Sequence, residues 1–81
     1  MLPECLIGFY IKHKQAKDVC YEVTNVKKLN GDYLYNLTIW NMGFEKSWVI
    51  DKCKVENIDI KNFVYYNDNI ECLRNAQWKE F

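Results

Sequence analysis

The sequence predicts a mainly β domain, a small antiparallel barrel followed by a C-terminal α-helix. Three observations carry that expectation. Five runs alternate side chains with the period of two that describes half-buried strands. Asn- and Gly-containing turns separate several of them. Thirteen of the 81 residues are aromatic, so a thin core can bury more area per residue than aliphatic side chains allow.

The first predicted strand is Leu6 to Lys12, where Ile7, Phe9 and Ile11 alternate with Gly8 and Tyr10. The second is Val19 to Lys27, with Val19, Tyr21 and Val23 on one face and Cys20, Glu22 and Thr24 on the other. Asn30-Gly31-Asp32 then gives the strongest hairpin signal in the chain. In the third strand, Tyr33 to Trp40, the residues Tyr33, Tyr35, Leu37 and Ile39 share one face. Asn41-Met42-Gly43 turns the chain into a fourth strand, Ser47 to Lys52. A polar stretch with Val55, Ile58 and Ile60 has room for a short helical turn. A fifth strand, Asn62 to Tyr66, faces either Phe63 and Tyr65 or Val64 and Tyr66 inward.

Asp68 followed by Glu71 has the spacing of a capping box. Ile70, Leu73, Gln77 and Phe81 fall on one helical stripe, so residues 68–81 read as a helix. A helix this short is marginal alone and must dock on something. Strand lengths and short connections favour a five-stranded SH3-like barrel over about residues 5–66, with the helix completing one domain over residues 1–81. The chain is too short for two separate cores.

Eleven basic residues balance eleven acidic ones, which excludes a generally basic nucleic-acid binder and an acidic DNA mimic. Hydrophobic content of 49% with 27% charged residues argues against disorder. No apolar run approaches the ~18 residues of a membrane span. The N-terminus lacks a basic segment followed by an apolar run, so no signal peptide is expected. A cytoplasmic location with four reduced cysteines follows.

Catalytic equipment is sparse. His13 is the only base of its kind, and no spacing places it beside Cys5 or Cys20. Cysteines at positions 5, 20, 53 and 72 lack the close pairs of a zinc site. There is no Gly-rich phosphate loop and no nucleophile elbow. The expectation is a protein that is not an enzyme and holds no metal or cofactor.

Two binding surfaces remain. Tyr10, Trp40 and Tyr66 point away from the expected core and, with Trp78 and Phe81 of the tail, form a candidate protein-contact set. Trp40 is alternatively covered by the C-terminal helix through Ile70, Leu73 or Trp78. The second surface is basic. Lys12, Lys14, Lys17, Lys27 and Lys28 outnumber Asp18 and Glu22 by three, and line one end of the barrel if the first two strands are neighbours. With Tyr10 as a stacking ring, that end suits single-stranded nucleic acid. The near absence of arginine weakens base readout.

Asn, Lys, Ile, Tyr and Phe supply 36 residues, while Gly, Ala, Pro and Arg supply only 7. The genetic code translates this into an AT-rich gene, as in phages and mobile elements of low-GC bacteria. The functional expectation is a protein-binding module, an inhibitor of a host enzyme or defence complex. A single-strand binder is the alternative. An exposed strand edge leaves both monomer and homodimer open.

Overall fold

The computed structural model describes residues 2–41, 48–56, 59–68 and 73–81. Five antiparallel strands form one open sheet: β1 (Tyr10–His13), β2 (Val19–Leu29), β3 (Asp32–Asn41), β4 (Trp48–Glu56) and β5 (Phe63–Tyr66). A two-residue strand, β6 (Lys79–Glu80), extends one edge, giving the order β4-β3-β2-β1-β5-β6. Among the described residues no helix is long and apolar enough to cross a membrane.

The β2–β3 hairpin is the backbone of the sheet, running in register from Leu29↔Asp32 to Val19↔Asn41. Its turn is the one the sequence announces. Asn30 and Gly31 both take positive φ, 53° and 84°. That combination belongs to a type I′ turn, whose twist matches the strands it joins. A bulge interrupts the ladder between Val23 and Asn25. The intervening Thr24 turns its hydroxyl to donate to the Asn36 carbonyl at 2.9 Å. Bulges bend a strand and raise its local twist. Only the first half of β2 pairs with β1 (Tyr10↔Glu22, Ile11↔Tyr21), while the second half pairs with β3 alone.

The predicted first strand is shorter than its sequence pattern. Pro3–Leu6 form a 3-10 turn, and Gly8 takes a φ of 89°. Pro3 presets the first helical φ, and the positive φ at Gly8 breaks the alternation. The chain still stays on β2, because Gly8 N–H donates to the Val23 carbonyl and Val23 N–H to the Phe9 carbonyl. β4 extends past Lys52 to Glu56, since Lys54, Val55 and Glu56 find partners in Asn36, Tyr35 and Leu34. The side chains of β4 and the turn at Met42-Gly43 lie outside the described residues.

A 3-10 turn, Ile60–Asn62, leads into β5. Asp59 fixes it: its carboxylate accepts from the Lys61 backbone N–H and from the Asn62 side chain. Antiparallel pairing of β5 with β1, Ile11↔Tyr65 and His13↔Phe63, settles the register that the sequence left open. Phe63 and Tyr65 join the core face, and Val64 and Tyr66 the opposite one.

Two expectations need correction. The sheet does not close into an SH3-like barrel: β4 and β6 are its two edges. The C-terminal helix is also absent from the described part of the tail. Leu73–Asn75 make one 3-10 turn, and Lys79–Glu80 pair with Tyr65 and Val64 of β5. Ile70 and Glu71, on which the stripe and the capping box relied, lie outside the described residues. The physical reason is competition. An isolated helix of this length gains little, whereas the free edge of β5 offers unpaired backbone groups to any extended segment that reaches it.

The main core sits on one face of the sheet. Leu6, Ile11, Val23, Tyr35 and Leu37 are each no more than 2% exposed. Phe9, Tyr21, Val26, Tyr33, Ile60, Phe63 and Tyr65 pack around them. Phe9 and Tyr65 tilt against each other at 5.7 Å. Truncating Leu37 removes packing at the centre of β3. Leu37→Ala is expected to cost about 2–5 kcal/mol in chemical denaturation. Gly31→Ala, at an otherwise open turn position, is expected to lose about 1–2 kcal/mol from its left-handed backbone alone.

Candidate functional site: an aromatic second face

Alternation along β1, β2, β3 and β5 brings a second set of side chains to the other side of the sheet. Tyr10 stands opposite Glu22 on β2 and Tyr66 on β5. Cys20 stands opposite Trp40. The Tyr10 and Trp40 rings meet edge to face, with centroids 6.3 Å apart and planes at 75°. The Trp40 indole Nε1–H donates to Glu22 Oε1 at 3.3 Å.

The tail covers part of this face. Leu73 is buried against Cys20, and Trp78 packs on the same cluster with Tyr10 and Trp40. Trp78 also tilts against Tyr66 at 6.2 Å. The ammonium of Lys12 lies 4.7 Å from the Trp78 ring centroid, within the range of a cation–π contact. Four of the five predicted contact residues, Tyr10, Trp40, Tyr66 and Trp78, therefore share one surface, and each remains half-buried. Phe81 does not join them. It lies on the core side against Tyr65, at 4.8 Å, and is 37% exposed.

Charge at this face is mixed and local. The Tyr10 hydroxyl is pushed above its ordinary pKa by burial first, then by the Glu22 carboxylate and Cys20. Tyr66 is raised by desolvation, by the charge of Asp68 and by a hydrogen bond to its side chain. The Cys20 thiol is pushed up to about 12, mainly by burial, with Glu22 adding to the shift and Lys12 opposing it. A thiol held protonated in this way is a poor nucleophile.

The other readings from sequence sort by position. His13 pairs with Phe63 and stacks edge to face on it at 5.4 Å. That puts its ring on the core side, away from Cys20. Its Nδ1 accepts from the Gln15 backbone N–H. Cys5 is exposed, whereas Cys72 and the side chain of Cys53 lie outside the described residues. Among the described residues no group of three or more His, Cys, Asp or Glu side chains is arranged to hold a metal ion.

The five lysines do not gather at one end. The first two strands are neighbours, as the basic-end reading required. But β2 begins at Val19, just after Lys17, and its run from there to Lys27 spans roughly 26 Å. Lys12 is committed to Trp78, and Lys14 pairs with Glu80 at 3.7 Å. Lys28 lies 5.7 Å from the Tyr33 ring near the hairpin turn.

Sequence reasoning missed the polar partners of the rings, although Glu22 and Lys12 were readable as second-face residues from their parity with Cys20 and Tyr10. The alternative in which Leu73 or Trp78 covers Trp40 named two residues that do pack in its cluster, but from a 3-10 turn and an extended stretch instead of a helix. Comparison with protein-family models, curated proteins and solved structures found no match.

Burial of Cys20 makes two linked predictions. In the native protein, Cys5 is expected to react promptly with a disulfide reagent and Cys20 only after opening, read by peptide mapping in a mass spectrometer. The folded thiol also holds its proton more tightly than the unfolded one. Stability is then expected to fall as pH rises from about 9 towards about 12, because the unfolded chain releases the proton first. Denaturation midpoints across that range, compared with Cys20→Ala, isolate this contribution.

Proposed function

We propose that the chain is a non-catalytic protein-binding module whose contact surface is the second face, centred on Tyr10, Trp40, Tyr66 and Trp78. The observation that carries the reading is the convergence of these four half-buried rings from three strands and the tail. Clustered aromatics that keep accessible area are what protein interfaces use as anchors. A charge balance of zero supports a protein partner over a nucleic acid. Phe81 contributes from the opposite side of the sheet, next to Tyr65.

The strand order β4-β3-β2-β1-β5, with a 3-10 turn directly before β5, supports an SH3-like chain path whose closing contact is open. The biological role we assign is inhibition of a host enzyme or defence complex by a phage or mobile-element protein. An amino-acid usage that implies AT-rich codons supports that role.

Tyr66→Ala is expected to lose the partner that the wild-type chain captures from a host lysate, with circular dichroism unchanged. Lys27→Ala/Lys28→Ala, at the far end of β2, should keep it. Retention of the partner by Tyr66→Ala would overturn the reading. Tight, salt-sensitive binding of single-stranded oligonucleotides by Tyr66→Ala and the wild type alike would favour the basic surface instead.

A further inference from the structure

The second face carries more than apolar area. Trp78 presents a ring to an ammonium, the Lys12 side chain, at 4.7 Å from its centroid. Trp40 is oriented by its hydrogen bond to the Glu22 carboxylate at 3.3 Å. Tyr66 tilts against Trp78 with ring centroids 6.2 Å apart, and the nearby Asp68 carboxylate acts on its hydroxyl. Rings of this kind turn their negative faces towards a cation, and neighbouring carboxylates strengthen the attraction. Among the described residues the other exposed large apolar side chains are scattered: Leu2 and Ile7 beside the first 3-10 turn, Leu29 at the hairpin and Phe81 on the core side.

We propose that this face is a binding site for a cationic side chain, a lysine or arginine of a partner protein, in which Lys12 is the resident cation that the partner displaces or joins. The inference rests on the protein-contact reading above and gives it a chemistry. Three features argue for a cation rather than an apolar anchor. The face already holds one ammonium against an indole. Carboxylates border it at two points, Glu22 and Asp68. Its tyrosines and tryptophans supply the electron-rich rings on which ammonium and guanidinium groups seat, with no desolvated anion to match.

Lys12 sets the affinity of the site for an external cation. Its four-carbon stem is flexible and its ammonium readily hydrated, so it leaves the ring at low cost when a second cation arrives. Removing its charge while keeping its stem length should free Trp78 and relieve like-charge repulsion. Removing the charge of Glu22 while keeping an acceptor for the Trp40 indole should weaken the site without disturbing the ring.

The experiment uses the full chain and two probes of one shape. Choline carries a quaternary ammonium, and 3,3-dimethylbutan-1-ol is its neutral isostere. Indole N–H resonances of Trp40 and Trp78 report binding. Choline is expected to shift both resonances and the isostere to shift them much less. Lys12→Met should bind choline more tightly by about threefold to tenfold, and Glu22→Gln more weakly by a similar factor. Equal shifts by the two probes, or no shift with choline in Lys12→Met, would overturn the proposal. Should Lys12→Met fail to fold, the choline and isostere comparison on the wild type decides alone. Loss of the cation effect with the captured partner still dependent on Tyr66 would remove this inference and leave the protein-contact reading standing. A partner indifferent to Tyr66 would remove that reading itself.

Discussion

Burial of β2 on both sides is the constraint from which the rest of the structure follows. Val23 faces one side of the sheet and Cys20 the other, and neither is accessible to solvent. Adjacent side chains on a strand point in opposite directions, so a central strand with apolar residues of both parities needs cover above and below. Both covers are drawn from short segments flanking the strands. Leu6 and Ile60 help to close one face, and Leu73 and Trp78 the other.

This division explains the uneven character of the two faces. The first is a continuous apolar core built by cross-strand pairs such as Ile11↔Tyr65 and Val23↔Leu37. Its rings fill space between aliphatic residues. On the second face the described buried residues are Cys20, Leu73 and the polar Thr38, with Tyr10, Trp40 and Trp78 packed around the first two. The rings there remain partly accessible and carry polar partners, Glu22, Lys12 and Asp68. Rings with polar partners at a half-covered surface resemble an interface more than an interior.

The bulge at Thr24 ties fold to site. Before it, β2 is held between β1 and β3, and the second-face residues Cys20 and Glu22 sit at the centre of the sheet. After it, β2 continues with β3 alone towards the Asn30-Gly31 turn. The aromatic face and the exposed lysines near the hairpin turn are thereby kept apart. Length along a strand, rather than charge count, decides that Lys27 and Lys28 lie far from Lys12.

Period-two alternation determined the strands, the Asn30-Gly31 hairpin and the common face of Tyr33, Tyr35 and Leu37. It also placed Tyr10 and Trp40 together, opposite that face, because strand parity is local information. It did not choose the register of β5, which pairing with β1 decided. It did not foresee that Lys79–Glu80 pair with the edge of β5. Helical spacing in residues 68–81 is a weak local preference, and an unpaired strand edge with a half-covered aromatic surface is a stronger, non-local one. The contacts of Trp78 with Tyr66 and Lys12 join residues remote in sequence. Only the folded chain brings them within reach, so tertiary structure decided which of the candidate rings share a surface and which polar groups meet them.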